Sequence, residues 1–364
     1  MRRTTRSCSL LAVACIAGAC AVTTAGAPAS TSTWSVDHQA TYRIAHETGE
    51  SSINHTGSRW NIYGTDLGHM FTYHGRTYMT FGDTFGPPAA NPFFSKPHSD
   101  WRSNTMAYSS DRDPSDGLTF DGMITDRPGH AKELLPSLKN PGVEQTVIPT
   151  YGVAVGDRMF LHYMSVKRFG EPGRWTLNYS GLAYSDDGGH TWVKDTPVKW
   201  PGDSNFGQVA FVKRGPYVYL FGIPGGRYGG VQLARVPRTH ILDPGAYRYW
   251  DGSAWMHDSS AATTVIPAPV GELSVRWNSH YHTWLMMYLD DPDGKVVVRT
   301  ADKLTGSWSD PRVVVTAKDY PSLYAPYLTP RWNNGRDIYF TMSQFGRYDV
   351  SLMHTALRGF GRHP

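Results

Sequence analysis

The feature that most constrains this chain is a pattern that recurs five times. An apolar-aromatic strand meets a tight turn and a second strand, and a third strand then ends in a polar cluster. The turns centre on His74-Gly75, Gly156-Asp157, Arg214-Gly215, Ser279-His280 and Asn334-Gly335, within stretches such as HMFTYHGRTYMTFGD and TPRWNNGRDIYFTMS. Third strands follow as SNTMAYSSD, SGLAYSDD, GGVQLARV, VVVRTADK and VSLMHTA. A short sheet of this kind cannot cover both of its faces alone. Repeated sheets therefore stack, and in a strand-rich chain they stack as blades around an axis. Fourth strands fit four units, including TWVKDTPV in the second and SWSDPRVVV in the fourth. The fifth unit runs out of chain after Thr355, while ATYRIAHETG near the start is a spare strand. Lending that strand to the last blade closes the ring and removes a long exposed edge. The expected fold is all-β: one five-bladed β-propeller over residues 40–357, after a flexible stretch at 28–39 and before a tail at 358–364.

Composition agrees. The charged fraction is 18%, aromatics reach 13%, and glycine and proline number 37 and 25. That profile suits short strands joined by many turns. SDDGGHTW fits the Asp-box pattern Ser-x-Asp-x-Gly-x-Thr-Trp through Ser185, Asp187, Gly189, Thr191 and Trp192. In propellers this is a turn between third and fourth strands, with the Asp accepting backbone N–H groups and the Trp packing between blades. It is a structural element, so Asp187 is a poor catalytic candidate.

The N-terminus explains the net charge of +4. Arg2, Arg3 and Arg6 precede an apolar run from Leu10 to Val22 and the small residues Ala25-Gly26-Ala27. This is the layout of a secretory signal peptide over residues 1–27, and the run is too short to span a membrane. The expected location is therefore extracellular. Cys20 offers a lipid-attachment alternative, although the large aliphatic residue usual three positions earlier is missing. Cys8, Cys15 and Cys20 are the three cysteines of the chain, so the mature protein has no thiol chemistry. Loss of three arginines leaves basic and acidic side chains nearly balanced, and nothing points to nucleic acid as a partner.

Candidate chemistry lies in GTDLGHMFTYHGRTYMTFGDTFG. A two-residue turn at His74-Gly75 sets Asp66 opposite Asp83, at the ends of the two strands that begin and return at the central mouth. Directly opposed positions hold their Cβ atoms roughly 4.5–5.5 Å apart, and like charges there are destabilising. One carboxyl of such a pair should titrate late. A proton-sharing pair in an aromatic-rich hollow suits glycoside hydrolysis; a turn-capping role for either Asp is the plainer alternative. Gln145, Asn205, Gln208, Glu272 and Tyr324 stand at other inner-strand starts. Glu272 is either a third acid or a salt-bridge partner of Arg276 or another rim base. Trp101, Arg102 and Asn104 enter the third strand of the first blade, as a sugar-stacking ring and two hydroxyl-orienting groups; a packing Trp and a surface Arg are the plainer alternatives. No metal site is expected: His69 and His74 flank opposite sides of the hairpin, and DPDGK is too short for an EF-hand. No cofactor is expected either, because nucleophile-elbow, zincin, P-loop and dinucleotide motifs are missing.

GTDLG, FGDTF and the following Arg-x-Asn together resemble the signature of the DUF4185 proteins, grouped in glycoside hydrolase family 183. The resemblance covers roughly residues 40–357 and is strongest between Trp60 and Asp111. It implies a five-bladed propeller with endo-D-arabinanase activity on the α-linked D-arabinofuranose chains of mycobacterial-type arabinogalactan and lipoarabinomannan. The paired catalytic acids would fall on Asp66 and Asp83, and the partner would be polysaccharide met by a monomer. Three other readings share the hollow: a propeller lectin, a sialidase-like enzyme, and a furanosidase acting on L-arabinan or fructan. The sialidase reading lacks an arginine cluster, and the last needs three acids from three separate blades.

Overall fold

The computed structural model describes residues 34–87 and 100–359. The leader expected at 1–27, its three cysteines and the end of the C-terminal tail lie outside the described residues. Five antiparallel sheets form a five-bladed β-propeller. Their inner strands are Leu67–Tyr73, Thr146–Val155, Gln208–Arg214, Leu273–Asn278 and Leu323–Leu328. Each touches the next, and the fifth touches the first, so the ring is complete. These strands are nearly continuous runs of buried residues because they have a blade on either side.

The last blade is closed as the spare strand implies. Ser35–His46 pairs antiparallel with Asp349–Arg358, from Ser35 opposite Arg358 to His46 opposite Ser351. This strand starts at Ser35, inside the stretch expected to be flexible. Trp34 and Val36 are buried in the main core, and their apolar surface holds the segment down.

Two boundaries differ from the sequence reading. The fourth strand of the second blade is Lys199–Pro201 rather than TWVKDTPV. Within that segment Val193 makes an isolated bridge to Tyr184, and Thr196 spends its hydroxyl on the Leu182 carbonyl. The third sheet carries further strands, with Thr264–Val270 pairing to Gly229–Pro237. The Asp box forms between strands as expected. Asp187 Oδ1 accepts from the Thr191 N–H at 2.9 Å, Asp187 Oδ2 accepts from the Thr191 hydroxyl, and Trp192 packs on the cluster between the first two blades.

Ring closure includes a buried acid. Glu47 follows the closing strand, and its N–H donates to the Val350 carbonyl at 2.7 Å. Its side chain accepts from the Leu118 N–H at 3.0 Å and from Asn54 at 3.2 Å, tying the closure to the first blade. Burial pushes the Glu47 carboxyl up to about 8, against the pull of these two donors. A carboxyl raised in the folded state stabilises fully below its unfolded value and loses that contribution as pH rises through the folded one. Stability should therefore fall between about pH 4.5 and about pH 8. In Glu47→Gln the fall across this window, followed by denaturant unfolding at several pH values, should be shallower than in wild type. An unchanged slope would remove Glu47 as a source.

Candidate active site

The starts of the inner strands and the turns after the second strands surround a cavity of about 600 Å³. Asp66 and Asp83 both line it, but not through the direct opposition that the hairpin numbering suggests. Pairing keeps one register from Tyr73 opposite Arg76 to His69 opposite Thr80, then slips by one so that Leu67 faces Phe81. The register returns at the bridge between Gly64 and Phe85. The Gly82 N–H donates to the Asp66 carbonyl, so Asp66 is opposed by two residues, Gly82 and Asp83. The compensating extra residue is Gly68, at φ 84°, which a glycine adopts freely. Paired bulges of this kind re-aim side chains, and here they direct both carboxyls into the cavity.

The two acids are held differently. Asp66 is half-buried. Its Oδ2 accepts from the Tyr324 phenol at 3.0 Å, and its Oδ1 is buried without a donor. Burial, then the Asp83 charge, pushes the Asp66 carboxyl well above its ordinary value. Asp83 is fully buried. Its Oδ1 accepts from the Thr146 hydroxyl at 2.5 Å and from the Trp101 indole at 2.8 Å. Burial raises Asp83 too, while these two donors restrain the rise. Gly82 is essential to the arrangement, since a Cβ there would lie 2.4 Å from Asp66 Oδ1. Gly82→Ala should therefore displace the Asp66 carboxylate. We expect turnover to fall about 10²-fold with the circular dichroism spectrum and unfolding midpoint nearly unchanged; full activity would show that the position of Asp66 is immaterial.

A third acid joins from the fourth blade. Glu272 is buried, and its Oε1 accepts two bonds from Arg227, at 3.0 and 2.8 Å. Its salt-bridge partner is thus Arg227 rather than Arg276, which instead donates to the Met70 carbonyl. Glu272 Oε2 is buried and unpartnered. Arg227 also pairs with Asp291 at 3.1 Å. Burial opposes its charge, yet Glu272 and Asp291 hold the guanidinium above its ordinary value. Arg227 lies over the Tyr324 ring at 4.9 Å and the Trp175 ring at 5.7 Å.

The other expected site residues divide. Tyr324 and Glu272 line the cavity, as do Gln145 and Gln208. Gln145 accepts from the Phe169 N–H, and Gln208 donates to the Gly226 carbonyl at 2.8 Å, so both also brace the loops around the mouth. Trp101 is not a sugar platform: it stacks on Phe85 at 6.0 Å and 18° and orients Asp83. Arg102 is buried, donating to the carbonyls of Asn61 and Ala131 and pairing with Asp100. Asn104 is buried and saturated by four backbone bonds. Asn205 donates to the Gly222 and Gly230 carbonyls. Backbone groups hold the buried Arg102 and Asn104 and the half-buried Asn205 alike.

Arg227, Asp291, Thr146 and Tyr348 were not singled out from the sequence. Three of them share a signal. Asp83, Arg227, Asp291 and Tyr348 all follow the second strand of a blade, where the chain returns to the mouth. A search of those turns, beginning from GDTFG and PGGRYGG, would have found the arginine. Among the described residues, no group of three or more His, Cys, Asp or Glu is arranged to hold a metal ion, and no helix is long and apolar enough to cross a membrane.

Comparison with known proteins adds two kinds of likeness. The chain is 30% identical over 329 residues to Notoamide biosynthesis cluster protein J of Aspergillus sp. (strain MF297-2), covering 84% of each. It is 31% identical over 302 residues to Notoamide biosynthesis cluster protein J' of Aspergillus versicolor, covering 77% of this chain and 80% of the other. Among solved structures, a candidate hydrolase from Bacteroides ovatus superposes with a TM-score of 0.59 at 12% identity, over 83% of this chain and 88% of that one. An exo-β-1,3-galactanase from Phanerochaete chrysosporium gives 0.51 at 8% identity, over 82% of this chain and 63% of that one. At these identities the structures share the fold. The profile of the Domain of unknown function DUF4185 matches residues 51–354, and the chain belongs to that family.

Proposed function

We propose that this protein is a secreted glycoside hydrolase that cleaves furanosidic polysaccharide within the chain, with α-D-arabinan as substrate. The observation that carries the reading is a pair of carboxyls in one cavity, both held above their ordinary range but in unequal surroundings. Asp66, with the Tyr324 and Tyr348 phenols beside it and two acids near it, keeps its proton longest and protonates the departing glycosidic oxygen. Asp83, with two donors on one oxygen, ionises more readily and attacks the anomeric carbon or activates water. Asp66 Oδ1, Glu272 Oε2 and Trp175 Nε1 are buried polar atoms without partners on residues that line the cavity. A protonated oxygen on Asp66, an acceptor on Glu272 and a donor on Trp175 suit a hydroxyl-rich ligand. The partly exposed rings of Phe169 and Phe345 offer apolar walls to sugar faces.

The choice of D-arabinan rests on the GTDLG, FGDTF and Arg-x-Asn context of the acids. The fold, which a galactanase shares, suits glycoside hydrolysis without selecting the sugar. The test is incubation of the purified protein with D-arabinan, L-arabinan and inulin, with products resolved by size. Release of D-arabino-oligosaccharides from D-arabinan alone is expected. Cleavage of another polymer only would retain the hydrolase and discard the substrate, and no cleavage of any would discard both. The names of the fungal relatives, biosynthesis cluster proteins, favour one second reading, a small molecule in the same cavity in place of a polymer.

A further inference from the structure

A second cavity, of about 240 Å³, opens at the other ends of the same inner strands. Phe71 and Thr72, Gly152 to Ala154, Phe211 to Lys213, and Val275 to Trp277 line it. These are late positions in strands whose first residues line the acidic cavity, so the two hollows lie at opposite mouths of the propeller axis. Packed rings occupy the axis: His69 stacks on Tyr151 at 5.4 Å, and Tyr151 meets Tyr327 at 6.0 Å and Phe211 at 6.5 Å.

The charge of this second hollow is one-sided. Two cations line it, Lys213 and Arg276, and among the described residues no acid does. Among the described residues neither cation has a salt bridge. Lys213 Nζ donates to the Ala154 carbonyl at 2.8 Å, and Arg276 Nη2 donates to the Met70 carbonyl at 2.9 Å. Arg276 Nε is buried and without an acceptor. Although Lys213 as a whole stands exposed, partial desolvation of its ammonium against the hollow, and then the charges of Arg238 and Arg276, hold it below its ordinary value. Like charges brought together without a counter-ion are costly, and a bound anion relieves that cost. The tryptophans Trp277 and Trp284, whose rings meet at 5.2 Å, form the apolar side of the same hollow.

We infer that this hollow binds a tetrahedral oxyanion dianion, free or as the phosphoryl group of a small sugar ester, between Lys213 and Arg276. Two uncompensated cations favour a dianion over a carboxylate, and a planar guanidinium suits phosphoryl oxygens. The hollow is larger than a single phosphate, which leaves room for an ester. The inference is independent of the acidic cavity and of any hydrolysis there.

The test is isothermal titration calorimetry of the whole protein with inorganic phosphate, ribose 5-phosphate and acetate in a phosphate-free buffer. Phosphate and ribose 5-phosphate should bind at about one per chain, acetate much more weakly, and Lys213→Gln and Arg276→Gln should each weaken the phosphate affinity about tenfold or more. Asp66→Asn should leave it unchanged. Tighter binding of ribose 5-phosphate supports the ester as ligand, and equal binding supports the free ion. Lys213 stands exposed at a strand end, so its variant carries the test if Arg276→Gln fails to fold. No binding of either phosphate would overturn the inference, as would affinity unaltered in Lys213→Gln.

Discussion

Asp66→Asn and Asp83→Asn are each expected to lower turnover of the cleaved polysaccharide about 10³-fold while leaving its binding nearly intact. Asparagine keeps the shape of the side chain and can still meet Tyr324 or the Thr146 and Trp101 donors, but it neither gives up nor takes a proton. The pair also predicts a stability signature. Both carboxyls are raised by burial, so each stabilises the fold at low pH and loses that contribution as pH rises from the ordinary carboxyl range. An amide does not titrate. The unfolding temperature of Asp66→Asn relative to wild type should therefore be higher at pH 8 than at pH 5. Turnover and unfolding temperature measured on the same preparations separate the two claims. A variant that cuts at the wild-type rate would end the catalytic assignment, and a temperature difference constant with pH would end the raised proton affinity.

Asn104→Ala is expected to cost roughly 3 kcal/mol or more of folding stability. Its amide donates to the carbonyls of Leu135 and Val147, at 2.8 Å each, and accepts from the N–H groups of Leu134 and Leu135. Val147 is on the inner strand of the second blade, so one side chain pins the first blade to the second and to the segment between them. Truncation leaves four buried backbone groups without partners. The sign of the result distinguishes two roles. A residue orienting sugar hydroxyls would raise KM at constant stability, whereas Asn104 should lower the urea midpoint and leave the KM of the folded fraction close to wild type. An unchanged midpoint would refute the structural role.

Blade number, ring closure and the Asp box were legible because each depends on local pattern. Repeated strands, two-residue turns and a missing fourth strand are countable in a sequence, and burial then obliges the sheets to stack. The acids Asp66 and Asp83 were legible for the same reason, as ends of one hairpin. Arg102 and Asn104 were misread as sugar ligands because a polar residue beside a mouth looks alike in sequence whether it points to solvent or to backbone carbonyls. Depth decides between these roles, and depth depends on neighbouring segments such as 131–135 that are distant along the chain. Trp101 was near the chemistry as expected, but its indole N–H serves Asp83 instead of its ring serving a sugar.

Recurring strand–turn units were enough to give a five-bladed all-β ring, closed by its own N-terminal strand, with two acids at one mouth. Tight turns and short apolar runs act over a few residues, so they survive in one dimension. How those acids are set depends on contacts distant along the chain. The paired bulges at Gly68 and Gly82-Asp83 slip the register and return it, and the partners that make the acids unequal come from four other places: Thr146, Trp101, Tyr324 and the Arg227–Glu272 pair. Those contacts join residues up to 258 positions apart. Their energies depend on burial and distance in space, which no local pattern encodes.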